Sequence, residues 1–139
     1  MLSVNSSVYQ SFKLSGAKIR VLELQPRQGF GEMQCRFREI SLDNPKEFGG
    51  YVALSYTWGT NIFDEHIVLD FVKFPVTKTL LAALRRIQLP NCTVLIWVDA
   101  VCINQADIRE KNEQISPIRE IYGGAKEVVV WLGDGAGHS

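Results

Sequence analysis

Apolar positions fall along this chain in two rhythms. Three runs are nearly unbroken: YVALSY (51–56), VLIWV (94–98) and EVVVWL (127–132). Another stretch, MQCRFREISL (33–42), alternates, with Met33, Cys35 and Phe37 to one side and Gln34, Arg36 and Arg38 to the other. Alternation marks a strand with one covered and one open face, as in antiparallel pairing. A short unbroken apolar run suits a strand covered on both faces, as in a parallel sheet between helices.

The segments between these runs predict the remaining elements. IRVLEL (19–24) is strand-like, and 66–76 forms a short hairpin or one bent strand. Leu80, Leu84 and Ile87 recur at helical spacing, so a helix is expected over 78–88, capped by Thr77 or Thr79 and ended by Leu89-Pro90-Asn91. Asp107 stands three residues before Glu110, a helix-start signature. That helix should reach about Tyr122 with Ile115, Ile118 and Ile121 or Tyr122 on its apolar side. Pro117 should kink or split it, and Gly123-Gly124 should end it. The order strand, helix, strand, helix, strand predicts an α/β fold: a small parallel three-stranded core sheet flanked by helices, with additional N-terminal β-strands.

The 139 residues suffice for one domain, expected over 17–134, with a loose Ser-containing leader at 1–16 and a frayed Gly-rich tail at 135–139. Fifteen basic residues balance fifteen acidic ones, so no global field gathers nucleic acid or an anionic membrane. Arg36, Arg38, Arg85 and Arg86 read as solvated faces. No apolar run approaches the roughly 20 residues that span a bilayer, and residues 1–15 lack a secretory pattern. Cys35, Cys92 and Cys102 are odd in number and lack metal-ligand spacing; they read as buried thiols in a reducing, cytoplasmic setting, and no metal is expected.

Parallel strands deliver ligands and partners to their C-terminal ends. Those ends carry Tyr56, Trp58 and Gly59, then Asp99, Cys102, Asn104 and Gln105, then Gly133. Asp99 can accept hydrogen bonds from a ribose or a partner amide, or cap its own turn. Trp58-Gly59 packs a ligand or closes the sheet edge. Cys102 has no histidine near it in sequence. Asn104 and Gln105 organise the loop before a helix whose N-terminus suits an anion. Glu110 is a candidate carboxylate, although a capping box accounts for it without chemistry. No phosphate loop and no GxGxxG after a strand is present.

YVALSYTWG, LIWVDAVCINQ and EKNEQISPIREIYGGAKEVVVWLG resemble, in order, the three signatures of the heterokaryon-incompatibility (HET) domain of filamentous fungi. The resemblance runs from about Ile19 to Gly133 and includes Glu110, Gln114, Ile121, Tyr122, Trp131, Leu132 and Gly133. Ile118 stands where that family usually has methionine, Pro117 is unusual in the helix, and Phe71 stands where a turn glycine is common. The chain stops just after the third signature, where family members usually continue. The resemblance implies non-self recognition that triggers programmed cell death. It also implies a TIR-like or flavodoxin-like core, since the family is distantly similar to Toll/interleukin-receptor domains, which self-associate and sometimes cleave NAD. The catalytic glutamate of those enzymes, in a helix after the third core strand, has no counterpart here. Two functions follow. The favoured one is a cofactor-free self-association module whose partners are copies of itself or other cell-death signalling proteins. The alternative is an NAD- or nucleotide-cleaving enzyme whose site is completed by another subunit or further sequence.

Overall fold

The strand-like runs of the sequence join edge to edge rather than forming a core with attachments. A computed structural model describes residues 18–27, 31–56, 62–103, 106–115 and 118–131. Its strands are β1 (Lys18–Leu24), β2 (Gln34–Ser41), β3 (Val52–Tyr56), β4 (Glu65–Leu69), β5 (Val72–Val76), β6 (Val94–Trp97) and β7 (Glu127–Trp131). Among the described residues they form one seven-stranded mixed sheet in the order β5-β4-β2-β1-β6-β3-β7.

The three unbroken runs are adjacent and parallel as anticipated. Val52 pairs with Ile96, and Val52 to Tyr56 pair in register with Glu127 to Trp131. The additional N-terminal strands join the same sheet, which is mixed and has seven strands among the described residues. The three runs are one end of a larger sheet, because β1 lies at its centre. Ile19, Val21, Leu22 and Leu24 are all fully buried, and β1 pairs antiparallel with both β2 and β6. A doubly apolar strand needs a neighbour on each edge and cover on each face. Burial of β7 is corrected. It is the last strand of the sheet, and Val128 and Val130 are 47% and 61% exposed. Valine run length reports strand propensity and not position in the sheet.

β2 behaves as its alternation predicts: Met33, Cys35 and Phe37 are buried while Gln34 and Arg36 are exposed. Residues 65–76 form the hairpin, with Leu69 paired to Val72 across a two-residue turn of Asp70 (φ 50°) and Phe71 (φ 69°). Positive φ at both central residues matches the right-handed twist of the strands. Gly50, at φ 91°, precedes β3, and a Cβ there would meet the Lys126 side chain at 3.3 Å. The close approach lets the Lys126 amide donate to the Tyr51 carbonyl at 2.9 Å and pins the entry of β3 to that of β7.

Helix α1 (Lys78–Ile87) starts where Thr77 Oγ1 accepts from the Leu80 amide at 3.2 Å. It buries Leu80, Leu81, Ala83 and Leu84 and packs on β4 and β3. A short helix, α2 (Asp99–Cys102), follows β6; the strand-to-loop reading did not anticipate it. The long helix expected after Asp107 is divided into α3 (Ile108–Ile115) and α4 (Ile118–Gly124), with Ile121 fully buried. Cys35 and Cys102 are buried, but Cys92 is exposed, against expectation, because it lies in the bend between α1 and β6. Among the described residues no helix is long and apolar enough to cross a membrane.

Candidate functional site

Parallel pairing of β3 with β6 carries the end of each strand to one edge of the sheet. Tyr56 is the last residue of β3, and Asp99 opens α2 just beyond β6. The Asp99 charge acts on the hydroxyls of both Tyr56 and Tyr122. Thr77, the cap of α1, lowers the Tyr56 hydroxyl's pKa, and Ser55 of β3 does the same for Tyr122. Tyr122 meets the edge of the fully buried Trp97 ring, with centroids 5.6 Å apart and planes at 79°. Tyrosines from β3 and α4 therefore lie within the field of Asp99.

The electrostatics follow from burial. Burial is the main cause raising the Asp99 carboxyl above its ordinary range, opposed by the amides of Ala100 and Asp99 itself and by the field of Lys111. Burial also pushes the Tyr56 hydroxyl up to about 12; Thr77 opposes this and the Asp99 charge adds to it. Tyr122 is raised for the same first cause, with Asp99 second. A partly buried carboxylate whose charge reaches two phenols is an acceptor for hydroxyl or amide donors. The indole N–H groups of Trp97 and Trp131 are buried and have no hydrogen-bond partner among the described residues. Trp131 is the register partner of Tyr56, so one of these unused donors lies beside the site.

The other candidates lie elsewhere or outside the described residues. Cys102 is fully buried; its Sγ donates to the Ile96 carbonyl at 3.7 Å and accepts from the Val98 amide at 3.5 Å. Burial pushes its thiol up to about 12, which makes it an inert structural group. Glu110 takes part in the N-terminal cap through its amide, which donates to Asp107 Oδ1 at 3.2 Å. Its carboxylate binds Arg20 with two hydrogen bonds, of 2.5 and 2.7 Å. Trp58, Gly59, Asn104, Gln105 and Gly133 fall outside the described residues. Among the described residues no group of three His, Cys, Asp or Glu side chains comes together to hold a metal ion.

Sequence reasoning missed Arg20. Its side chain is 1% exposed, and Nη1 also donates to the Cys102 carbonyl at 3.2 Å. Arg20 thereby ties β1 to α2 and α3, on either side of Asn104 and Gln105. The signal was present: Arg20 shares strand parity with Leu22 and Leu24, and a cation among inward leucines requires a carboxylate. Tyr122, Ser55 and Thr77 were legible only as helix or strand residues, since their meeting depends on the packing of α4 and α1.

Residues 51–139 match the family model described as heterokaryon incompatibility protein (HET). The chain is 31% identical over 141 residues to heterokaryon incompatibility protein 6, OR allele, of Neurospora crassa. That alignment covers 90% of this chain and 20% of the relative, so the chain spans about a fifth of the length of the curated relative it matches. No solved structure matches the chain.

Proposed function

The chain belongs to the heterokaryon incompatibility (HET) family, and on that premise we propose that it is a signalling module of fungal non-self recognition. In this reading it triggers programmed cell death by associating with copies of itself or with other death-signalling proteins. The family match over residues 51–139 carries the reading. The balanced charge of the chain supports it, since copies do not repel one another. We read the parallel end of the sheet, with α1 packed on β3, as TIR-like in plan.

The test is inducible expression in a filamentous fungus, with the chain fused to a tag that clusters on addition of a small molecule. Clustering should arrest or kill the cells, more strongly than expression alone. Cells that grow normally with the folded, clustered chain overturn the proposal. Asp99→Ala separates a site from a scaffold: loss of killing at an unchanged melting temperature assigns Asp99 to function.

One feature favours a second reading, cleavage of NAD or another nucleotide. Asp99 is a partly buried acceptor at the strand ends, and its charge reaches two tyrosine hydroxyls. Purified chain incubated with NAD should then release nicotinamide, and Asp99→Ala should abolish the release. An absence of nicotinamide overturns this reading and leaves the signalling one standing.

A further inference from the structure

The outer side of β2 carries a feature distant from the strand-end cluster. Gln34 and Arg36 are exposed there, and Arg38 follows at the same parity, alternating with buried Cys35 and Phe37. Two phenylalanines stand beside them in left-handed backbone: Phe48 at φ 60°, and Phe71 at φ 69° in the β4–β5 turn. A bulky side chain disfavours that region, and glycine is the usual occupant of such a turn. Burial does not compensate, because Phe48 is 56% and Phe71 77% exposed. Each ring is instead covered by a guanidinium, Arg38 over Phe48 and Arg36 over Phe71, both at 4.6 Å. Strain kept at exposed aromatic residues points to a use for them, and arginine beside phenylalanine is the composition of interface anchors.

A cavity of about 160 Å³ opens beside these groups, lined by Gln25, Gln34, Cys35, Arg36 and Phe71. A cavity of about 150 Å³ holds a benzene-sized group, whereas small-molecule and cofactor sites need about 300–1,000 Å³. The space therefore fits one side chain and not a nucleotide. Arg36, which lines the cavity, makes no salt bridge among the described residues, while Lys73 of β5 lies within the field of Glu32. The carboxylate acting on Arg36 is that of Asp70, which accepts from the Phe37 amide at 3.4 Å. Glu23 is paired with Arg38, and Glu32 with His66. These interleaved carboxylates do not suit the continuous phosphates of a nucleic acid, but one exposed guanidinium and one amide lining a side-chain-sized cavity, Arg36 and Gln34, suit a single acidic residue.

We propose that this face docks an extended acidic segment of a partner protein. One carboxylate of the segment sits in the cavity against Arg36 and Gln34, and its apolar neighbours lie on Phe71 and Phe48. In the sheet, β1 and β6 separate this surface from β3 and the Asp99 cluster, and the proposal does not depend on the function assigned above.

The test uses the full chain and a fluorescein-labelled peptide of alternating glutamate and valine, followed by fluorescence anisotropy. The glutamate peptide should bind and its glutamine counterpart should not. Arg36→Glu should weaken binding about tenfold or more, as for an interface anchor; Arg36→Gln serves if the charge reversal fails to fold. Phe71→Gly should also weaken binding, while the melting temperature holds or rises, since glycine accepts a φ of +69° without strain. Equal binding of the two peptides, no binding of the glutamate peptide, or full binding by Phe71→Gly overturns the proposal. Preferential binding of a labelled polyuridine also overturns it and reassigns the face to nucleic acid.

Discussion

Two arginine–glutamate pairs involve the central strands of the sheet, one on each side. On the inner side, Arg20 of β1 grips Glu110 of α3 from a position 1% exposed, across 90 residues of sequence. On the outer side, Arg38 of β2 meets Glu23 of β1 at 3.0 Å with its side chain 36% exposed, across 15 residues. The ions are the same, but their solvents differ. Water competes for the outer pair and salt screens it, so it adds little to folding. The inner pair is withdrawn from water, and each member depends on the other to avoid a buried, uncompensated charge. The inner pair therefore locks distant segments together, while the outer pair stays in contact with water.

The largest effect should come from breaking the inner pair. Arg20→Ala should reduce unfolding free energy by about 3–5 kcal/mol in urea denaturation, because it strands the Glu110 carboxylate. Joint replacement by Arg20→Met and Glu110→Leu should recover most of that loss. A single variant within about 1 kcal/mol of the parent would erase the distinction between the two sides.

Next is a purely apolar contact, that of the fully buried Leu84 of α1, which packs on β4 and β3. Leu84→Ala should cost about 2–5 kcal/mol, read by thermal and urea unfolding. A cost under about 1 kcal/mol would mean that the Leu84 face of α1 does not carry the packing on β4 and β3.

A smaller effect of opposite sign is expected at Asp99. Its carboxyl is raised by burial above 3.8, so the folded chain binds the proton more tightly than the unfolded chain. Stability from this group is fully present below the ordinary value and is lost as pH rises through the folded one. Asp99→Asn should then be more stable than the parent at neutral pH and show a flatter stability profile on the acid side. A variant less stable at neutral pH would mean that the bonds from the Ala100 and Asp99 amides outweigh burial.

The smallest effect belongs to the outer pair. Arg38→Ala should change stability by less than about 1 kcal/mol, and added salt should shrink the difference. A larger, salt-insensitive loss would move Arg38 into the same class as Arg20.

Local patterns made much of this fold legible. The alternation of β2, the cap and buried face of α1 and the adjacency of the three apolar runs all follow from spacing that side chains impose on regular backbone. The centrality of β1 did not follow, because an apolar strand looks the same at the middle of a sheet and beside it. The exposure of β7 escaped notice for the converse reason: its valines report a preference for extended backbone, and only long-range pairing made it the last strand. At the candidate site, Tyr56 and Asp99 were readable from strand ends. Tyr122 and Ser55 were not, because a helix distant in sequence brings them together. Arg20 was readable but unread, as a charge on the leucine side of a strand.

The central place of β1 bears on how this domain can travel between genes. A recombination breakpoint between Ser41 and Val52 would move the segment matched by the family model, yet leave behind the strand that lies between β2 and β6. The recipient would inherit a β6 with one naked edge and a Glu110 carboxylate with no guanidinium to meet it. A graft that keeps β6 paired on both edges therefore carries the chain from Lys18 onward, a longer piece than the matched segment.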